Sequence, residues 1–229
     1  MSYEEVNSQS TSTLLQKGIT LSLTNLGKRY NREWIFRNLS YEFETGKSYA
    51  ITGPNGSGKS TLLQVIGGAL MHNEGEIMYQ VAGNKTSEVL KTSEVSAIPY
   101  QHISIAAPYL ELVEELTAKE MLHFHAQFKS LVLPISEILQ QVGLADAANK
   151  QLRYFSSGMK QRLKLAQAFF SETPVLLLDE PITNLDDAGI ALYEQLIADH
   201  THNRIVIVSS NDRQEYDFCD EVINIGDYK

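Results

Sequence analysis

The chain has 229 residues, of which 43% are hydrophobic and 21% charged. That suits one large α/β domain or a domain carrying an insertion, with enough apolar side chains for a sizeable core. A net charge of −9 argues against a nucleic-acid binder, which needs Lys and Arg stripes, and the single cysteine, Cys219, excludes an internal disulfide and fits a reduced compartment.

No apolar run approaches the ~18 residues of a membrane span. Met1–Ser12 is polar, with Glu4 and Glu5 where a leader would carry Lys or Arg. Residues 1–17 are expected to be a disordered tail and 18–229 one domain. Ile19, Leu21 and Leu23 alternate with polar residues as in a half-buried strand, and Tyr41 and Phe43 continue that pattern up to a turn at Gly46. Ser48–Thr52 is a short strand leading into a glycine-rich loop. Lys59 to Leu70 has helical spacing, weakened near its end by Gly67 and Gly68. Short strands are expected over about 76–107, interrupted by the polar stretch Gly83 to Ser93. From about 109 to 170 the spacing is helical. Thr117 and Glu120 form a capping box there, and Ser136 is placed to cap a second helix that stops at Gly143. Strands return at Val175–Asp179 and at 204–209, around a helix from about Asp187 to Ala198. Strand–loop–helix units flanking a helical block indicate an α/β core with a helical insertion.

Three short motifs carry chemistry. Gly53-Pro54-Asn55-Gly56-Ser57-Gly58-Lys59-Ser60 has the G-x-x-x-x-G-K-[ST] spacing, between a strand and a helix that continues with Thr61. Such a loop turns its N–H groups inward onto a polyphosphate, and the helix behind it adds its own free N–H groups and dipole. Lys59 would reach the β/γ-phosphates and Ser60 would ligate Mg²⁺. The apolar run Val175–Leu178 ends in Asp179 and Glu180. A strand this apolar belongs in a parallel sheet, whose ligands gather at the strands' carboxyl ends. Asp179 is therefore a candidate metal ligand and Glu180 a candidate for polarising the attacking water. Phe155-Ser156-Ser157-Gly158-Met159, followed by Lys160-Gln161-Arg162, puts a serine-rich turn at a helix N-terminus.

In this order the motifs resemble the ATP-binding subunits of ABC transporters, over roughly residues 19–226. Residues 155–159 look like the family's signature sequence and Asn184-Leu185-Asp186 like its D-loop. The resemblance implies a P-loop NTPase core with a mainly parallel sheet, an antiparallel β subdomain near the N-terminus and a helical insertion over about 109–170. It implies ATP and Mg²⁺ as cofactors, Tyr30 as the aromatic stacking on adenine (Trp34 being the alternative), and ATP sandwiched in a homodimer or heterodimer between one phosphate loop and the opposing signature. The motor would be cytoplasmic and peripheral, held at the inner face of the membrane by a transmembrane permease on a separate chain. The Ser-Ser-Gly-Met-Lys-Gln form of the signature looks most like small exporter ATPases. An ATPase coupled to a soluble process and a nucleotide-gated scaffold with negligible hydrolysis are the alternatives.

The chain departs from the family pattern twice. Pro108 stands where the family places a glutamine, with Gln101 lying too early to replace it. Asn211 stands where the family places a histidine. An Asn amide can donate to a γ-phosphate but carries no charge, so slow turnover is expected. The pair His123 and His125 is not a metal site, since i and i+2 on a helix point apart. Glu111, Glu114 and Glu115 suit a solvated face, and Phe169 and Phe170 suit the core.

Overall fold

A computed structural model of the protein describes residues 18–81, 90–91 and 99–229. The expected tail and most of the Gly83 to Ser93 stretch lie outside the described residues. Ile19–Tyr30 (β1) and Glu33–Glu44 (β2) form a long antiparallel hairpin. Glu74–Val81 (β4) pairs with β1 on its other side, and Leu90–Lys91 (β5) pairs with β4, giving the antiparallel sheet β2-β1-β4-β5. The alternation in β1 is the cause: Leu21 and Leu23 are buried while Thr20 and Ser22 are only partly covered. Phe43 and Tyr49 stack edge-on at 4.8 Å beneath the hairpin.

The second sheet is parallel throughout, in the order β6-β7-β8-β3-β9. Its strands are Ser48–Thr52 (β3), Ile103–Ala106 (β6), Val175–Asp179 (β7), Ile205–Ser209 (β8) and Glu221–Asn224 (β9). Both faces are covered, so the runs Val175–Leu178 of β7 and Ile205–Val208 of β8 are continuously apolar, as in parallel sheets generally. Val175, Leu177, Ile205, Ile207, Tyr49 and Ile51 face one core, shared with the antiparallel sheet and the helix Lys59–Ile66 (α1). Leu176, Leu178, Val206 and Val208 face the other, beneath Ser157–Phe169 (α5) and Asp187–His200 (α6). Each such side chain contributes about 1.5–3 kcal/mol by leaving water. The period of two decides the site as well: Asp179 follows Val175 and Leu177 onto the α1 side.

The other α-helices among the described residues are Pro99–His102 (α2), Ala118–Ala126 (α3), Ile135–Gln141 (α4) and the single turn Arg213–Tyr216 (α7). α3 starts at the expected capping box: the Thr117 hydroxyl accepts from Glu120 N–H, and the Glu120 carboxylate accepts from Thr117 N–H at 2.8 Å. Three boundaries differ from the sequence expectation. α1 ends at Ile66 rather than Leu70, because Gly67 and then Gly68 (φ 73°) turn the chain away. α4 is entered from Pro134, whose fixed φ suits that position, so Ser136 lies inside the helix. α6 runs on to His200. No sequence signal pointed to α7 or β9.

At the amino ends of β6–β8 the sheet is closed by Arg204, 5% exposed. Its guanidinium donates to the Ala168 and Phe169 carbonyls ending α5, to the His200 carbonyl ending α6, and to the Ser104 and Thr173 hydroxyls. A cation is suited to carbonyls at helix C-termini. Close by, His125 contacts the Ser171 hydroxyl at 2.8 Å. Burial, assisted by the Lys129 charge, pushes its pKa down to about 4. Between about pH 6.5 and 4 the unfolded chain therefore binds the extra proton, and this site's contribution to stability falls as pH falls. The variant His125→Gln should gain about 2 kcal/mol relative to the parent between pH 7.5 and 5. Thermal melts of the two proteins at both pH values check this; a constant difference between them contradicts it.

Candidate nucleotide site

Three loops meet at the carboxyl ends of β3, β8 and β7, neighbours in the parallel sheet. β3 delivers the glycine-rich loop of residues 53–58. Gly58 has φ 107°, a region L side chains avoid, and a Cβ there would collide with the Ile35 side chain of β2. Lys59 opens α1 and is 6% exposed. Its ammonium donates to the carbonyls of Gly53 at 2.8 Å and Pro54 at 3.4 Å. The cation is thus held inside its own loop, a short side-chain rotation from whatever the loop encloses. Ser57 is buried, its hydroxyl without a partner among the described residues, Ser60 and Thr61 are half-buried in the first turn, and Pro54, Asn55 and Gly56 are exposed.

β7 delivers Asp179 and Glu180. Asp179 is 2% exposed, pairs in register with Ser209, and its Oδ1 has no hydrogen-bond partner among the described residues. An unpartnered buried carboxylate oxygen costs several kcal/mol unless a cation meets it. Asp179 and the Ser60 hydroxyl are hard oxygen donors of the kind Mg²⁺ takes, so their chemistry fits that ion. Glu180 is half-buried and adopts φ 43°, unusual for a glutamate and a sign of local strain. Its N–H donates to the Ser209 carbonyl at 3.0 Å.

β8 delivers Asn211, whose amide is turned onto the phosphate loop. Its Oδ1 accepts from Gly53 N–H at 3.2 Å and its Nδ2 donates to Asn55 Oδ1 at 3.0 Å. One side chain thereby bridges two of the three loops. Buried Glu215, in α7, accepts from Ile182 N–H at 2.8 Å. Burial pushes its pKa up to about 7 against the Ser210 and Ile182 hydrogen bonds, with the Asp212 and Glu180 charges adding to the rise.

The serine-rich turn packs on the segment after Glu180. Ser156 caps α5 by accepting from Met159 N–H at 3.2 Å, while Ser156 and Ser157 stay exposed. Phe155 is buried in the helical core and Met159 packs against it. A Cβ on Gly158 would lie 3.0 Å from the Asn184 carbonyl, so any larger residue would push the two segments a few tenths of an ångström apart. Gln161 donates to the Pro181 carbonyl at 2.8 Å. Arg162 pairs with Asp186 at 2.7 Å, and the same carboxylate caps α6 by accepting from Gly189 N–H. Leu185 is half-buried against the helical core.

At the end of β6 the Ala107 and Pro108 carbonyls accept from Lys164 of α5 at 3.3 and 2.9 Å. Tyr109, not singled out for the cleft by its sequence position, has its hydroxyl beside Gln64 of α1 and in the field of Asp179. Gln101 lies in α2, before β6 and so at the far end of that strand from the cleft. Pro108, Leu110, Glu111, Leu112, Glu114, Lys160 and Lys164 line a cavity of about 330 Å³ beside this turn, and Glu114 pairs with Lys160 while Glu115 pairs with Arg153. Tyr30 ends β1 with 46% of its surface exposed, the Lys28 ammonium 5.0 Å from its ring centre. The guanidiniums of Arg29 and Arg37 both lie over the Trp34 ring, at 5.3 and 4.5 Å, leaving less free ring face. The Cys219 thiol is half-buried, its pKa pushed up to about 12 by burial and then by Asp220, which makes it a poor nucleophile. Among the described residues no group of His, Cys, Asp and Glu side chains is clustered to hold a metal ion by itself.

A model of the ABC transporter family matches residues 36–183. The putative hemin import ATP-binding protein HrtA of Staphylococcus haemolyticus is 30% identical over 85% of the chain and 90% of that protein. The cytochrome c biogenesis ATP-binding export protein CcmA of Agrobacterium fabrum is 34% identical over 79% of the chain and 83% of its own length. In three dimensions, a putative ABC transporter ATP-binding protein from Pyrococcus furiosus superimposes with a TM-score of 0.74 at 22% identity, covering 92% of this chain and 99% of the other. That last likeness speaks for the fold.

Proposed function

The chain belongs to the ABC transporter family as an ATP-binding subunit whose hydrolysis of ATP is coupled to transport, and from that premise we propose how its residues divide the work. The observation that carries the proposal is the meeting of the 53–60 loop, Asp179–Glu180 and Asn211 at adjacent strand ends, tied by the Asn211 amide. Loop amides and the α1 N-terminus bind the polyphosphate, and Lys59 exchanges its loop carbonyls for phosphate oxygens. Ser60 and Asp179 would hold Mg²⁺, which supplies charge neutralisation on the phosphates. Glu180 orients the attacking water and takes its proton. Tyr30 stacks on the adenine.

ATP-binding subunits of this family act with transmembrane components. Among the described residues no helix is long and apolar enough to cross a membrane. We propose a permease on a separate chain as the partner, the motor lying at the inner face of the membrane. The cavity between the Pro108 turn and α5 supports docking there, because Lys164 and Gln161 connect that wall to both the turn and the Glu180 loop. We propose further that the exposed Ser156 and Ser157 face the γ-phosphate held by a second ATP-binding subunit. The Arg162–Asp186 and Gly158–Asn184 contacts would pass that closure to the cleft. Turnover is expected to be slow, since the Asn211 amide is already engaged by the loop and carries no charge. Phosphate release from ATP by the purified chain, alone and with its permease, tests the proposal. Release that needs Glu180 supports it, and none under either condition contradicts it.

A further inference from the structure

We infer that Glu215 is a positioning residue for ATP hydrolysis, fastening the loop that carries Glu180 to the loop that carries Asn211. The inference rests on the proposed role of Glu180 and goes beyond it. Glu215 lies on α7, the single turn after β8, and is 3% exposed. Its side chain runs back across the sheet end. One carboxylate oxygen accepts from the N–H of Ile182, two residues past Glu180, at 2.8 Å. On the other side Glu215 stands four residues after Asn211, on the turn that the Ser210 hydroxyl fixes by accepting from Asp212 N–H at 2.8 Å and donating to the Asp212 carbonyl at 3.3 Å. The backbone of Glu215 is itself anchored: its N–H donates to the Asp212 carbonyl at 3.0 Å, and its carbonyl accepts from the buried Tyr193 hydroxyl of α6 at 2.7 Å. Ser210 N–H in turn donates to the Ile51 carbonyl at 3.1 Å, two residues before the phosphate loop.

Glu180 needs such a support. With φ 43° it sits by the left-handed region that residues other than glycine rarely adopt, and such a residue persists only where its surroundings hold it. Upstream it is held by the bond to the Ser209 carbonyl, downstream by the Ile182 bond to Glu215. A buried carboxyl is a poor choice for packing alone. Among the described residues no lysine or arginine forms an ion pair with it, so its burial is destabilising compared with an apolar side chain of its size. What it does provide is an acceptor aimed at one backbone N–H. A carboxyl oxygen accepts that bond whether or not the group is protonated, and so does the oxygen of glutamine. Glutamine should therefore preserve the function and alanine should remove it.

The experiment compares Glu215→Ala, Glu215→Asp and Glu215→Gln with the parent and with Glu180→Gln, in steady-state phosphate release and in equilibrium binding of a fluorescent ATP analogue. A displacement of Glu180 by about 1 Å costs on the order of 100-fold in rate. Glu215→Ala is expected to lower kcat by about 10- to 100-fold while the KM for ATP and the analogue's affinity change by less than about threefold. Glu215→Asp, one methylene shorter and still a carboxyl, should show the same split even if the alanine variant folds poorly. Glu215→Gln should recover kcat to within about threefold of the parent. Hydrogen exchange at the Ile182 amide should quicken in the first two variants and not in the third. Three results overturn the inference: unchanged kcat in the alanine and aspartate variants, loss of kcat and ATP affinity together, or failure of glutamine to rescue. If instead the parent releases phosphate no faster than Glu180→Gln, it is the role of Glu180 that fails, and with it the premise.

Discussion

Replacing Lys59 by alanine is expected to weaken ATP binding by at least about 100-fold, equivalent to about 3 kcal/mol. The ammonium is almost fully buried, and what it touches are carbonyl oxygens of its own loop. It is therefore a charge already stripped of water and aimed into the phosphate loop, where an incoming phosphate meets it at little further desolvation cost. Alanine leaves the loop amides in place but removes the cation that offsets the phosphate charge. Titration with a fluorescent ATP analogue measures the effect, and a melting curve of the variant shows whether it is folded. Affinity within about threefold of the parent would mean that the loop does not enclose the phosphates.

The second large effect is at Glu180. Glu180→Gln keeps the size of the side chain and its hydrogen-bonded backbone but cannot take a proton from water. Phosphate release should fall about 10²- to 10⁴-fold while ATP binding is retained. Because the γ-phosphate then persists, the variant should accumulate as an ATP-held dimer, bridged by the exposed Ser156–Ser157 turn of each partner. Size-exclusion chromatography with and without ATP reads this directly. A variant that binds ATP yet elutes only as a monomer would falsify the sandwich while leaving the nucleotide site intact.

Much of this site is legible in the amino-acid sequence because its parts are local. Residues 53–60 are one loop, Asp179 and Glu180 end one apolar strand, and the 155–159 turn caps one helix. The period of two in β7 also says which core Asp179 faces. What is hidden is contact between distant segments. Nothing in the spacing of Asn211 shows that its amide reaches Gly53 and Asn55, over 150 residues earlier. Glu215 looks like one more surface acid until Ile182 and Tyr193 are seen around it. Pro108 marks a missing side-chain oxygen at one position, yet the Tyr109 hydroxyl lies in the field of Asp179. The helix ends misjudged at Ile66, Pro134 and His200 were decided by glycine, proline and tertiary packing, which a periodic pattern reads poorly.

The central claim is that the 53–60 loop and Asp179 face one cleft in which a divalent cation joins the phosphates. Electron paramagnetic resonance of Mn²⁺, used in place of Mg²⁺ with a non-hydrolysable ATP analogue, tests it most directly. The account predicts Mn²⁺ binding that needs the nucleotide, phosphorus hyperfine coupling to the bound ion, and weakening by about tenfold or more in Asp179→Asn with metal-free nucleotide binding retained. Mn²⁺ that binds equally well without nucleotide, or that is indifferent to Asp179→Asn, would contradict it.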